Sequence, residues 1–235
     1  MLKVENMAFS YRRNEYLLHK VDFEITPGGV YGLLGKNGSG KSTLLYLMTG
    51  LMFPQIGSVT INGIPSRKRT PEVLSNIYLL PEEFDLPEVS ADVYVKNNAQ
   101  FYPNFNREQF DSYLQIFELP AVKRLSQYSM GQKKKFIVSF ALATNVPFLF
   151  MDEPTNGMDI PSKSQFRKVI ALSMNDERSI IISTHQVRDL ESMIDRVLLL
   201  HDNSMALNES IVDILPLLCF FIKVVDCFCT KNTLV

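Results

Sequence analysis

Gly35-Lys36-Asn37-Gly38-Ser39-Gly40-Lys41-Ser42-Thr43 sets two glycines five positions apart and follows them with Lys and Ser. This is the P-loop spacing. Polyphosphate needs dense donors at close range. Glycines let backbone N–H groups converge on it, and a following helix adds the positive end of its dipole. Lys41 is expected to reach the β and γ phosphates, and the Ser42 hydroxyl to ligate Mg²⁺. A second run, Phe148-Leu149-Phe150-Met151-Asp152-Glu153-Pro154, ends four apolar residues in two acids. It reads as a buried strand delivering carboxylates to its C-terminal edge, where open α/β sheets bind ligands. Asp152 suits Mg²⁺, directly or through water. Glu153 points elsewhere and is placed to polarise a water for attack on the γ-phosphate.

Those residues need a sheet to hold them. Val30 to Leu34 is a short apolar strand running into the glycine turn, and Lys41 to Met48 is the helix after it. Leu2 to Phe9 and Val21 to Ile25 alternate as half-buried strands do, and Ser58 to Ile61 enters a tight turn at Asn62-Gly63. Ile77 to Leu80 is another short strand. Ser90 to Leu119 reads as helical with a break at Pro103, and Asn106 with Gln109 reads as a capping box. The strand–helix rhythm then returns: strand Phe148 to Met151, helix Pro161 to Ser173, strand Ser179 to Ser183, helix Val187 to Ile194, strand Arg196 to Leu200. Alternation of this kind implies βαβ units and a mostly parallel sheet.

Composition bounds the function. The 235 residues carry 24 Lys+Arg against 25 Asp+Glu, a net charge of −1, which does not suggest a nucleic-acid clamp. The charge-free stretch from Ser42 to Ser66 is broken by glycines and Pro54, so no membrane span is expected. Charges within the first six residues leave no room for a signal peptide there, and a cytoplasmic chain is expected. Charge is segregated in the middle. Residues 82–118 hold eight acids and two bases, whereas 119–135 hold five bases and no acid, which reads as a solvated face on a distinct helical insert. Cys219, Cys227 and Cys229 make no disulfide or zinc framework.

Between the two motifs, Tyr128-Ser129-Met130-Gly131-Gln132 followed by Lys133-Lys134-Lys135 resembles the Leu-Ser-Gly-Gly-Gln signature of the ATP-binding cassette (ABC) family. Ser129, Gly131 and Gln132 match; Tyr128 and Met130 depart from it. Thr155 to Asp159 resembles the D-loop, with Asp159 in the aspartate position. His185, after Ser183-Thr184, resembles the switch histidine. Tyr11 resembles the aromatic that stacks on adenine. Glu82 stands where the family usually has the Q-loop glutamine; as a carboxylate it can ligate Mg²⁺ or only cap a turn.

The resemblance covers roughly residues 2 to 210 and implies one ABC ATPase domain over 1–235. Its expected fold is α/β: a P-loop NTPase (RecA-like) core, a small antiparallel β subdomain, and a helical subdomain over 85–128. It implies ATP and Mg²⁺ as cofactors. It implies a homodimer, or a heterodimer with another ABC ATPase subunit, in which Ser129, Gly131 and Gln132 of one subunit meet the γ-phosphate held by the other. It further implies a separate polytopic membrane permease that holds the chain on the inner face of the cell membrane, without nucleic acid. Short single-cassette chains of this kind resemble the ATPases of ABC-2-type exporters. A non-transport ABC ATPase and a weakly hydrolysing regulatory module remain alternatives. The tail over 215–235 is atypical, and an edge strand from Leu218 to Phe228 is expected in it.

Overall fold

Strands covered on both faces are apolar along their whole length, and three such runs lie side by side at the centre: β3 (Gly29–Leu34), β7 (Phe148–Asp152) and β8 (Ser179–Thr184). The computed structural model describes residues 1–13, 15–186 and 192–214. Before β3 run β1 (Leu2–Phe9) and β2 (Leu18–Ile25); after it come α1 (Lys41–Met48), β4 (Ile56–Ile61), β5 (Ile64–Pro65), α2 (Pro71–Leu74) and β6 (Ile77–Leu80). The helical stretch holds α3 (Ala91–Ala99), α4 (Arg107–Ile116) and α5 (Met130–Ala143). Beyond β7 lie α6 (Ile160–Ser173), β8, β9 (Arg196–His201), β10 (Ser204–Ser210) and α7 (Ile211–Ile214).

Two sheets result. One is antiparallel, in the order β2-β1-β4-β5. The other runs β10-β9-β3-β8-β7-β6, parallel except where β10 pairs with β9. Register fixes the site. Leu34 pairs with Thr184 and Asp152 with Ser183, so the residues following β3, β7 and β8 emerge at one edge.

The side-chain period of two divides each central strand between two cores. Tyr31, Leu33, Phe148, Phe150 and Ile181 pack with α1 and the antiparallel sheet. Val30, Leu149, Met151, Ile180 and Ile182 pack with α5, α6 and the helical stretch. There α3 and α4 hold on to α5 through aromatic rings: Tyr94 and Phe110 meet Phe136 edge-on, centroids 5.4 and 5.6 Å apart.

The sheet alternation is as the sequence implies, with exceptions. The hairpin to β10 was not anticipated, although Asp202 and Asn203, both at positive φ, form the two-residue connection that such a hairpin favours. Asn106 does cap α4, but Gln109 Oε1 accepts from Asn145 Nδ2 at 2.7 Å, and the Asn106 N–H donates to the Ala143 carbonyl instead of to Gln109. Most of the helix expected over Val187 to Ile194, and the whole tail over 215–235 with its expected edge strand, lie outside the described residues.

Candidate functional site

The loop after β3 is built for close approach. A Cβ on Gly35 would stand 2.6 Å from Ser39 Oγ and 2.9 Å from the Leu200 carbonyl oxygen. Gly40, at φ 97°, caps α1 without a side-chain acceptor, so the first-turn N–H groups of α1 remain for an outside acceptor. Lys41 folds back over the loop, donating to the carbonyls of Gly35 (2.9 Å) and Lys36 (3.0 Å). Ser39 Oγ is buried, with no hydrogen-bond partner among the described residues. An ammonium, two hydroxyls and an uncapped helix start suit a polyphosphate with its divalent ion.

These groups border a cleft of about 560 Å³. Asn37, Gly38, Gly40, Lys41, Ser42 and Thr43 form one wall; Glu82, Asp152, Glu153 and His185 form the other, and Tyr11 stands at the rim. Gly35, Lys36 and Ser39 complete the loop behind that wall. The Tyr11 hydroxyl meets Thr43 Oγ1 at 3.0 Å, and its ring, largely exposed, stands edge-on to Phe9.

Both acids are buried, and each is held differently. Asp152 Oδ1 accepts a short hydrogen bond from Ser183 Oγ. Glu153 leaves the strand at φ 44°, a left-handed conformation that costs a non-glycine residue roughly 1–2 kcal/mol. Its amide stays tied to the Ser183 carbonyl at 3.1 Å. Glu153 Oε2 accepts from Thr184 Oγ1 (3.1 Å), while Oε1 accepts from the His185 amide (3.0 Å) and faces His185 Nδ1 at 2.7 Å. Gln186 Nε2 has only hydrogens to offer and lies 3.3 Å from His185 Nε2. That makes Nε2 the acceptor, and Nδ1–H the donor to Glu153.

The remaining nominated residues stand outside this cleft. Ser129 and Gln132 cap α5 reciprocally: Ser129 Oγ accepts from the Gln132 amide at 3.3 Å, and Gln132 Oε1 from the Ser129 amide at 3.0 Å. Gly131 faces open space, and Met130 is exposed. Tyr128 is buried against Phe136 and donates to the Pro120 carbonyl at 2.9 Å, so its departure from the signature serves the core. Asp159 caps α6 through the Ser162 amide at 2.8 Å, and the Ser162 side chain first, with that amide second, holds its carboxyl below the usual range.

Sequence reasoning missed three neighbours of the site. Leu17 and Asn156 line the cleft. Asn156 Nδ2 donates to Glu82 Oε1 at 2.8 Å. The basic run after Gln132 is not merely a solvated face: Lys134 Nζ donates to the carbonyls of Asn156 (2.7 Å) and Glu153 (3.4 Å), and Lys135 Nζ to Gln165 Oε1 (3.0 Å). Asn156 had a signal in the turn-forming Thr155-Asn156-Gly157; Leu17 and Lys134 had none that spacing alone reveals.

A family model described as ABC transporter matches residues 18–156. The chain is 28% identical over 207 residues to the ABC transporter ATP-binding protein YtrB of Bacillus subtilis (strain 168), covering 87% of this chain and 70% of that one. It is 26% identical over 215 residues to the lantibiotic transport ATP-binding protein SrtF of Streptococcus pyogenes, covering 89% and 90%. Its structure resembles the dimeric post-hydrolysis state of the ATP-binding cassette MJ0796 bound to ADP and Pi. The TM-score is 0.76 at 25% identity, over 89% of this chain and 98% of that one.

Proposed function

The chain belongs to the ABC transporter family and is an ATP hydrolase of that family; from that premise we propose that it is the nucleotide-binding subunit of an exporter-type transporter, dimerising around two Mg-ATP to drive a separate permease. One observation carries the reading. Lys41, Asp152, Glu153 and His185 converge on one cleft, while Ser129, Gly131 and Gln132 cap a helix away from it on the same chain. A phosphate site so divided is completed by a second subunit.

The residues take the following roles. Gly35 to Thr43 cradle the phosphates, with Lys41 leaving its loop carbonyls for the β and γ oxygens. Tyr11 stacks on the base. Ser42 and Asp152 would hold Mg²⁺, which when bound would neutralise charge on those oxygens; Glu82, in the same cleft, is engaged by the Asn156 side-chain amide rather than assigned to the metal. Glu153 accepts the proton of the attacking water, and His185, donating from Nδ1, orients the carboxylate. Asp159 and the signature residues serve the partner's nucleotide. Residues 85–128 act as the helical subdomain and, with the Glu82 loop, face the permease.

Among the described residues no helix is long and apolar enough to cross a membrane. Attachment to the inner face of the membrane through the permease accords with that. The export direction draws support from a relative named as a peptide export ATP-binding protein, SkfE of Bacillus subtilis (strain 168). Affinity capture of the tagged chain from detergent-solubilised membranes tests the reading: copurification with a polytopic membrane protein and ATP turnover by the complex are expected. Copurification with RNA or DNA instead would sink it.

A further inference from the structure

The cleft wall is rich in carboxylates. Glu82, Asp152 and Glu153 bring three carboxylates to it, and Lys41 is the ammonium among its lining residues. A triphosphate adds more negative charge to the same space. A further cation stands behind the acidic side of the cleft. Lys134, on the helix capped by Ser129 and Gln132, reaches the Asn156 carbonyl at 2.7 Å and the Glu153 carbonyl at 3.4 Å. The side-chain amide of the same Asn156 holds Glu82 Oε1 at 2.8 Å. One residue therefore binds the cation through its backbone and the carboxylate through its side chain.

We propose that Lys134 is the counter-charge that lets this chain carry a carboxylate at position 82 beside the nucleotide, with Asn156 positioning the two. Lys134 and Glu82 are positioning residues and touch the nucleotide only through what they neutralise and hold. Removing Lys134 leaves Glu82 uncompensated beside the phosphates and weakens nucleotide binding. Neutralising Glu82 as well removes the repulsion. Burial draws the Lys134 ammonium down, and Glu82 and Glu153 oppose that shift, so the ammonium and both carboxylates lie within electrostatic reach. The arrangement also ties the signature helix to the loop after the acidic strand and, through Asn156, to the loop after β6.

The proposal rests on the reading of the cleft as a Mg-ATP site, and the test separates the two. Binding of Mg-ATP by the wild-type chain bears on that reading alone. For the pairing, Lys134→Gln should raise KM for Mg-ATP roughly tenfold and leave kcat within about twofold. The double variant Lys134→Gln/Glu82→Gln should return KM to within about threefold of wild type. A purely structural lysine would not be rescued by a neutral residue at position 82. Thermal melting without nucleotide supplies a readout independent of turnover: the double variant should lose less than the sum of the two single losses. Additive melting losses, or a double variant that keeps the KM of Lys134→Gln, would overturn the proposal.

Discussion

Glu153 Oε1 lies 2.7 Å from His185 Nδ1, and the same oxygen accepts the His185 backbone amide at 3.0 Å. One residue thus grips one carboxylate oxygen twice, while Thr184 holds the other. The carboxylate is fixed before any substrate arrives, which is what a proton acceptor needs if it is not to reorganise during the reaction. Gln at position 153 keeps the shape and loses the basicity. Glu153→Gln should therefore bind Mg-ATP as wild type does and lose turnover by about 10²- to 10⁴-fold. Steady-state phosphate release with a parallel binding titration checks it; normal turnover would remove Glu153 from the role.

The reciprocal cap of Ser129 and Gln132 predicts separable effects of one mutation. Ser129→Ala removes a cap worth about 1 kcal/mol, a modest loss in a melt. If Ser129 also meets the partner's nucleotide, the change should abolish the ATP-dependent dimer. In sedimentation at saturating Mg-ATP, Glu153→Gln should run as a dimer, and Glu153→Gln with Ser129→Ala as a monomer. Dimers of both would confine Ser129 to capping.

Tyr11 is 65% exposed, so its ring contributes little to the core. Stacking of a base on an aromatic ring is worth about 1–3 kcal/mol. Tyr11→Ala should raise KM for ATP roughly tenfold with kcat and melting temperature near wild type. Tyr11→Phe, which loses only the hydroxyl contacts to Thr43 Oγ1 and Met52 Sδ, should stay near wild type in both. A loss of stability in Tyr11→Ala that matches its loss of binding would mark the ring as packing.

What was legible in the sequence was local. The glycine spacing around Lys41 and the acids at the end of an apolar strand each sit within one short segment. The Ser129 cap also closes over three residues. Chemistry that depends on register followed once the strands were placed, since a parallel sheet brings the ends of β3, β7 and β8 to one edge. Contacts between distant side chains left no such trace. Asn156 and Glu82 are 74 positions apart, and Lys134 reaches its carbonyls across 19 and 22. A lysine in a basic run looks solvated until the fold lays an acidic loop beside it.

Arg178 gives a prediction about the frame behind the site. It is only 2% exposed, and its partners are carbonyls rather than a carboxylate. Nη1 donates to Leu142 (2.9 Å) and Ser173 (3.4 Å), and Nη2 to Ala141 (3.3 Å). Those carbonyls end α5 and α6, where dipoles favour a cation. One guanidinium thus fastens the C-termini of the two helices whose N-termini carry Ser129 and Asp159. Arg178→Met should take the charged donors from these helix-end carbonyls, of which Leu142 keeps the Asn145 amide and Ala141 the Thr144 hydroxyl, and destabilise by about 2–3 kcal/mol, read as a lower urea midpoint at unchanged slope. Arg178→Lys should recover part of that. Burial lowers the Arg178 guanidinium from its ordinary value to about 10. Between those values the unfolded chain binds the extra proton, so the burial penalty is full below about pH 10 and fades only above it. The stability difference between wild type and Arg178→Met should therefore stay flat from about pH 6 to about pH 9 and widen in favour of wild type only beyond about pH 10. A slope within the neutral range would mean that another titrating group, not the helix-end carbonyls, sets what Arg178 contributes.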